Sequence, residues 1–346
     1  MQEIIIGGQT IHKNSQIKID IPLPNLYNMP SFLSVWAIRG KQDGPVVFVS
    51  AAVHGDELNG IEIIRRLKKA KVLKKLNGTL ILVPIVNVYG LANLSRYLPD
   101  RRDLNRSFPG NTKGSLASRI ASVFFNEIVK KCDLGIDLHT ASIHKTNLPQ
   151  IRTDINNEFT LNLAKAFRAP VVLHSELRDG SLRGCAKESG IPILLYEAGE
   201  ALRFSEKSIK IGSRGILNIL KELNMLPKKD SKKRGKAPII TKSSQWIRSS
   251  QSGILRTIKA LGQTVQKGDI IAYIDEPLTD KSQAIEASFD GIIIGKSQIP
   301  LVYEGDAIFH IARFKDLEHA EERMEYFHEK SLNLDATDEI KEDSIR

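Results

Sequence analysis

Short apolar runs alternate with amphipathic stretches between Pro45 and about Leu223. Five of the runs have the continuity typical of strands that are buried on both faces. They span residues 46–53, 80–86, 134–138, 171–173 and 193–196. Stretches beside these runs repeat apolar residues every three or four positions, which predicts helices with one buried face. The alternation predicts a doubly wound mixed α/β sheet with helices on both faces.

Composition divides the chain into four segments. Residues 1–227 carry the α/β pattern, and residues 228–244 form a lysine-rich stretch without apolar periodicity, which predicts an exposed basic linker. Residues 245–315 contain short apolar segments bounded by glycine and other turn residues, which predicts an all-β domain. Residues 316–346 are acidic, and we predict a solvated helix followed by disorder.

Charge is spread unevenly along the chain. The formal net charge is +10, but residues 316–346 carry −7 and the rest of the chain therefore +17. Such a surplus can steer an anionic substrate or serve solubility, and both interpretations stay open. No aromatic residues interleave with the lysines of the predicted linker, so the sequence offers no stacking platform for bases and we expect no nucleic-acid partner.

The cysteines and the N-terminus bear on location. Two cysteines, Cys132 and Cys185, provide no disulfide framework, as is typical of a reducing cytoplasm. The N-terminus lacks the basic segment and apolar stretch of a signal peptide, and no apolar run approaches the length of a transmembrane helix. We therefore expect a cytoplasmic protein without a membrane partner, and we leave open whether it forms a homo-oligomer.

Three side chains that bind metals stand at the ends of predicted strands. His54 and Glu57 follow the run that begins at Val46, and His139 follows the run that begins at Leu134. Ligands of open α/β sheets bind beyond the carboxyl ends of such strands, and two imidazoles with one carboxylate are a usual ligand set of hydrolytic zinc. We predict one zinc ion bound by His54, Glu57 and His139. The alternative is a solvated His-Glu pair at a helix start.

Four motifs follow one another along the chain, and their order resembles the succinylglutamate desuccinylase/aspartoacylase family of the zinc carboxypeptidase superfamily. They are His54-x-x-Glu57 and residues 103–110, 137–140 and 192–200. The resemblance continues through residues 246–248 to the glycine-punctuated segments beyond. It implies a zinc-carboxypeptidase-like α/β domain followed by a barrel-sandwich domain, similar to the hammerhead barrel of biotinyl and lipoyl carriers.

The resemblance also implies a catalytic glutamate within residues 192–200. Glu197 follows an apolar strand and is expected at the same sheet edge as His139. A partly buried carboxylate there is suited to act as a general base, because burial raises a carboxyl pKa towards the working range. Glu200, three residues later, is the rival for this role.

Arginines are implied in two further roles. In the family, an Asn-Arg pair that matches Asn105 and Arg106 binds the substrate carboxylate, as a guanidinium fork can do with two hydrogen bonds. An earlier arginine polarises the scissile carbonyl, and Arg96 resembles it, although its spacing to Arg106 is two residues longer than in the aspartoacylase pattern. Arg101 and Arg102 compete with Arg96 for this role.

Other polar residues near His139 receive weaker interpretations. Asp137, two residues before His139, is expected to point to the opposite side of its strand, where it serves the core or supports the metal site. His144 and Arg152 are expected in a loop just past His139, where they touch substrate or are solvated.

Three functions compete on these observations. The favoured one is a zinc-dependent amidohydrolase, a deacylase that cleaves the amide bond of a small anionic N-acyl amino acid or a related carboxylate. The alternative is a zinc carboxypeptidase that acts on peptides with the same metal site and Asn-Arg clamp. A non-catalytic binding module is disfavoured, because His54, Glu57, His139, Arg106 and Glu197 are all intact.

Overall fold

The computed structural model describes residues 3–228 and 236–332. Its strands are β1 (Ile5–Ile6), β2 (Gln9–Thr10), β3 (Ser15–Pro22), β4 (Phe32–Arg39), β5 (Val46–Ala51), β6 (Thr79–Val83), β7 (Leu134–Ala141), β8 (Lys145–Thr153), β9 (Val171–His174), β10 (Ile193–Glu200), β11 (Ile239–Thr241), β12 (Ser244–Arg248), β13 (Gly253–Thr257), β14 (Thr264–Val265), β15 (Ile270–Asp275), β16 (Ser282–Glu286), β17 (Gly291–Ser297), β18 (Leu301–Val302) and β19 (Ala307–Arg313). Its α-helices are α1 (Asn59–Lys69), α2 (Val88–Ala92), α3 (Leu116–Glu127), α4 (Glu158–Phe167), α5 (Leu182–Glu188), α6 (Glu206–Glu222) and α7 (Leu317–Leu332). Short 3-10 helices lie at Lys71–Lys75, Leu104–Arg106 and Val129–Lys131.

One large sheet runs through most of the described residues. Its main path is β12-β19-β17-β8-β10-β7-β5-β6-β4-β3. The central strands β10, β7, β5 and β6 are parallel to one another, whereas β8 and β4 join them antiparallel. The five apolar runs form β5, β6, β7, β9 and β10, so the predicted mixed sheet is confirmed.

Helices cover both faces of the central strands. On one face, Phe48 of β5 packs edge-on against Phe124 of α3, with ring centroids 5.9 Å apart, and α5 completes that core. The opposite core joins α1, α4 and α6 through side chains such as Ile63, Phe167 and Ile216. This double covering is the physical reason why the central strands read as unbroken apolar runs.

Strand β8 contradicts the sequence prediction that Arg152 lies in a loop, whereas the same prediction for His144 is confirmed. Arg152 lies within β8, and His144 lies in the turn before it. The polar residues of β8 and its Pro149 hide the strand pattern in the sequence. The proline is tolerated because β17 pairs with the residues before it and β9 with the residues after it, so that Pro149 lies at the step between two ladders.

The C-terminal strands are continuous with the α/β sheet. β12, β19 and β17 extend the main sheet, and β17 pairs antiparallel with β8. A second sheet, of order β16-β15-β13-β18, packs on them around a core that contains Ile271, Ile293 and Phe309. The strand-rich C-terminal region expected from the glycine-punctuated segments is therefore present.

Two predicted segments are described only in part. Residues 229–235 of the basic linker and residues 333–346 of the acidic tail lie outside the described residues. Within the predicted linker, β11 pairs with β9, and within the tail, α7 buries Ala320 and Met324 against β17 and its neighbours. The division into domains stays a prediction. Across residues 3–228 and 236–332, no helix has the length and apolar character needed to cross a membrane.

Candidate active site

His54, Glu57 and His139 meet near the carboxyl ends of β5 and β7. His54 and Glu57 lie in the segment between β5 and α1, and His139 lies in β7. All three are buried, and one ligand atom from each lies within 4.8 Å of the others. Gly55 lets this segment run close to α2, because a Cβ at that position would lie 1.8 Å from the carbonyl carbon of Gly90. The structure thus brings the three predicted ligands together.

The carboxylate of Glu57 is the centre of this group. Its Oε1 lies 2.6 Å from Nδ1 of His54, and its Oε2 lies 2.9 Å from Nδ1 of His139. The backbone N–H of Thr140 also donates to Oε2, at 2.9 Å. Nδ1 of each histidine therefore faces the shared centre, and the donor set of two imidazole nitrogens and one carboxylate suits zinc.

The far nitrogen of each histidine faces a second carboxylate. Nε2 of His139 lies 2.6 Å from Oδ2 of Asp137, and Nε2 of His54 lies 3.2 Å from Oδ1 of Asp103. Carboxylates in this place fix the ring orientation of histidines that bind metals, so the arrangement fits a bound ion. The expectation that Asp137 points to the opposite side of its strand is wrong, because residues two apart on a strand share a face.

Electrostatics keep the centre ionised. Burial acts against the carboxylate of Glu57, but the charges of His54 and His139 outweigh it and hold the pKa of this carboxyl far below its usual range. Burial likewise opposes the charged form of His54, yet the charge of Glu57 and the contact with Asp103 raise the pKa of this imidazole. A cation that binds here replaces protons held by the histidines, since metal binding requires neutral imidazoles.

Glu197 stands beside this group. It pairs with His139 across β10 and β7, and side chains at paired positions lie on the same face of a sheet. The rival, Glu200, pairs instead with Ala141, and its Oε2 lies 3.6 Å from Nε of Arg203. The structure therefore places Glu197 closer than Glu200 to the candidate metal ligands along the sheet.

Three polar residues lie near Glu197, and of these the sequence singles out only Arg152. Nδ2 of Asn147 donates to Oε2 of Glu197 at 2.7 Å, and Nη2 of Arg152 lies 2.9 Å from the same oxygen. Arg183, in α5, is also near: burial, with the charge of Arg152, lowers its pKa to about 10, while the charge of Glu197 acts in the other direction. The sequence does not single out Asn147 and predicts Arg152 in a loop, because the polar residues of β8 do not show a strand pattern.

The three competing arginines occupy different places. Arg96 donates through Nε and Nη2 to Oδ2 of Asp103, at 3.1 and 2.9 Å, and its Nη1 lies 3.7 Å from Oε1 of Glu57. Arg101 and Arg102 are exposed. The geometry thus brings Arg96 to the candidate metal ligands and leaves Arg101 and Arg102 at the surface.

Asn105 and Arg106 lie in the 3-10 turn that follows Asp103. The side chain of Asp103 accepts from the backbone N–H of Asn105 at 2.8 Å, which ties this turn to the residue that contacts His54. Oδ1 of Asn105 accepts from the backbone N–H of Leu182. The guanidinium of Arg106 is exposed, and its Nη1 donates to the carbonyl of Asn105 at 2.6 Å. Arg106 is therefore accessible to a ligand from solvent.

Comparison with known proteins points to one family. The sequence model of the Succinylglutamate desuccinylase/Aspartoacylase catalytic domain matches residues 43–223, about half of the chain. The N-alpha-acetyl-L-2,4-diaminobutyric acid deacetylase of Halomonas elongata is 28% identical over 291 residues, which cover 79% of this chain and 83% of that protein.

Solved structures share the fold. The product-bound ectoine utilization protein EutE (DoeB) from Ruegeria pomeroyi superposes with a TM-score of 0.77 at 23% identity, over 86% of this chain and 95% of that one. A succinylglutamate desuccinylase/aspartoacylase from Rhodobacter sphaeroides gives a TM-score of 0.76 at 24% identity, over 87% and 96%. Sequence match and shared fold agree: the chain belongs to the succinylglutamate desuccinylase/aspartoacylase family.

Proposed function

We propose that this protein is a zinc-dependent amidohydrolase that removes the acyl group from an N-acyl amino acid or a related small carboxylate. The observation that carries the proposal is the buried group of His54, Glu57 and His139, with Glu197 paired beside His139. The family match supports an amide hydrolase, and the relative from Halomonas elongata is a deacetylase of an N-acetylated amino acid.

The ligand set favours a catalytic over a purely structural metal. His54 and His139 would hold zinc through Nδ1 and Glu57 through its carboxylate, while Asp137 and Asp103 hold the imidazole rings. Three protein ligands are typical of catalytic zinc sites, whereas structural sites use four. When bound, zinc acidifies water and polarises a substrate carbonyl.

The protein's own residues carry the proton and the charge. Glu197 takes the proton from the attacking water and delivers it to the leaving amine, the usual work of a positioned carboxylate. Arg96, whose Nη1 lies near Glu57, stabilises the negative charge that develops on the carbonyl oxygen. Asn105 and Arg106 bind the substrate carboxylate.

Positive charge near Glu197 favours an anionic substrate. Arg152 and Arg183 lie close to each other. Burial, and in second place the charge of Arg152, lowers the pKa of Arg183 to about 10. Nε of Arg152 and Nη1 of Arg183 are buried without a hydrogen-bond partner in the described part of the chain. Buried donors of this kind gain most from a ligand that supplies acceptors, such as a carboxylate.

A substrate screen tests the proposed function. Purified protein with zinc should release acid from at least one N-acetyl, N-succinyl or N-formyl amino acid, and should cleave matched dipeptides with much lower kcat/KM. Preferred cleavage of the dipeptides would favour a carboxypeptidase. Inactivity of the zinc-loaded protein on the whole panel would contradict the proposal.

Substitution of the two arginines should separate their roles. Arg106→Ala should chiefly raise KM, because the carboxylate clamp acts in both the ground and the transition state. Arg96→Ala should chiefly lower kcat, because the charge on the carbonyl oxygen exists only in the transition state. Steady-state kinetics on the best screened substrate provides the measurement. Arg101→Ala and Arg102→Ala are the controls, and an unchanged kcat in Arg96→Ala would remove Arg96 from this role.

Glu197→Gln should separate catalysis from metal binding. The amide keeps the size of the side chain but cannot accept a proton, so kcat should fall by about 10²- to 10⁴-fold while the zinc content stays at the wild-type value. Glu57→Gln should lose zinc together with activity, and Glu200→Gln should remain largely active. Metal analysis and kinetics on the same preparations provide the measurement. Wild-type turnover in Glu197→Gln, or its purification without zinc, speaks against the role.

Asp137→Asn should weaken zinc binding without removing a ligand. The amide no longer offers a carboxylate to Nε2 of His139, and loss of such a partner typically costs about 10- to 100-fold in metal affinity. Competition with a chromogenic chelator measures the affinity. Asp280→Asn, in an exposed turn, is the control. An affinity equal to that of the wild type would show that Asp137 does not support the site.

A further inference from the structure

Both partners of the Glu197 carboxylate contact the same oxygen. Nδ2 of Asn147 donates to Oε2 at 2.7 Å, and Nη2 of Arg152 lies 2.9 Å from Oε2 as well. A glutamate side chain that is held by one oxygen loses most of its rotational freedom, and its other oxygen stays available to accept a proton.

The C-terminal region provides the space that the Asn147 side chain occupies. Asn147 in β8 pairs with Gly295 in β17. A Cβ on Gly295 would lie 2.8 Å from Oδ1 of Asn147 and 3.1 Å from Cβ of His310. The amide of Asn147 therefore occupies the space that a side chain at residue 295 would fill. This space allows Nδ2 of Asn147 to reach Glu197.

His310, the partner of Gly295 on β19, is held by two contacts. His310 in β19 pairs with Gly295, its Nε2 lies 2.8 Å from Oγ of Ser244, and its ring stacks on Trp246 at a centroid distance of 4.7 Å and an interplanar angle of 9°. Burial, with the charge of Arg152, lowers the pKa of His310 to about 3, so this ring is neutral and does not compete with Arg152 for the carboxylate.

We propose that Asn147 is a positioning residue for Glu197. We also propose that β17 of the C-terminal region fixes the place of the Asn147 amide, because Gly295 leaves the space for it. Asn147 and Arg152 together hold Oε2 and so present Oε1 to the reacting water. The inference rests on the proposed function, since it concerns the proton transfer that Glu197 performs there. It also gives the C-terminal strands a part in catalysis, because Gly295 of β17 leaves the space in which the amide of Asn147 reaches Glu197.

Two variants test the inference by different routes. Asn147→Leu keeps the approximate shape of the side chain but cannot donate a hydrogen bond to Glu197. Gly295→Ala leaves the sequence at Asn147 unchanged, but the new Cβ at residue 295 pushes the Asn147 amide away from its position. Each should lower kcat by about 10- to 100-fold, the range expected when a catalytic group is misplaced by about 1 Å, with KM and zinc content close to wild type. Lys296→Ala is the control, because its side chain points to the other face of β17 and should leave kcat unchanged.

A double-mutant cycle distinguishes positioning from substrate binding or general damage. In the Glu197→Gln background, Asn147→Leu should cost almost nothing further, because it acts through the carboxylate already removed. The same loss in both backgrounds, an unchanged kcat in Asn147→Leu, or a change confined to KM would each overturn the inference. A wild type inactive on all N-acyl amino acids would overturn the proposed function itself, whereas an active wild type with an unaffected Asn147→Leu overturns this inference alone.

Discussion

The buried carboxylate of Glu57 joins the two halves of the candidate site. It contacts Nδ1 of His54, Nδ1 of His139 and the backbone N–H of Thr140, and so links the segment after β5 to β7. An isolated carboxylate would be costly at such depth, and it is stable only because paired charges and hydrogen bonds surround it. Asp137 and Asp103 add a second carboxylate on the far side of each imidazole ring, so that negative and positive groups alternate away from Glu57. The geometry of the site follows from this chain of opposite charges.

The continuity of the sheet is the second constraint. β8 lies between β10, which carries Glu197, and β17, which belongs to the C-terminal region. Because neighbouring strands fix one another in register, side chains of β8 meet Glu197 of β10, and Gly295 of β17 leaves room for one of them. The C-terminal strands therefore do more than cover the α/β core, since the amide of Asn147 occupies the space that Gly295 leaves open.

The central part of the fold could be predicted because double burial leaves a plain mark on the sequence. The apolar runs became β5, β6, β7, β9 and β10, and the ligand set was placed at their ends. β8 could not be predicted, because several of its residues are polar and one is Pro149. The missing N–H of Pro149 matters little, because this residue lies between the residues of β8 that pair with β17 and those that pair with β9. Because β8 is not apparent from the sequence, Asn147 is not singled out there and Arg152 is expected in a loop. No pattern in the sequence brings the two residues to Glu197. Asp137 lies on the same face of β7 as His139, since strand residues two apart share a face, and the expectation of the opposite face is wrong for that reason.

Anomalous diffraction at the zinc edge from crystals of the zinc-loaded protein tests the central claim most directly. The account predicts one zinc site with Nδ1 of His54 and Nδ1 of His139 at about 2.0–2.1 Å and an oxygen of Glu57 at about 2.0–2.2 Å. It also predicts Nε2 of both rings facing Asp103 and Asp137, and Glu197 outside the ligand set. Zinc bound through Nε2, bound elsewhere, or coordinated by Glu197 in place of Glu57 would contradict the account.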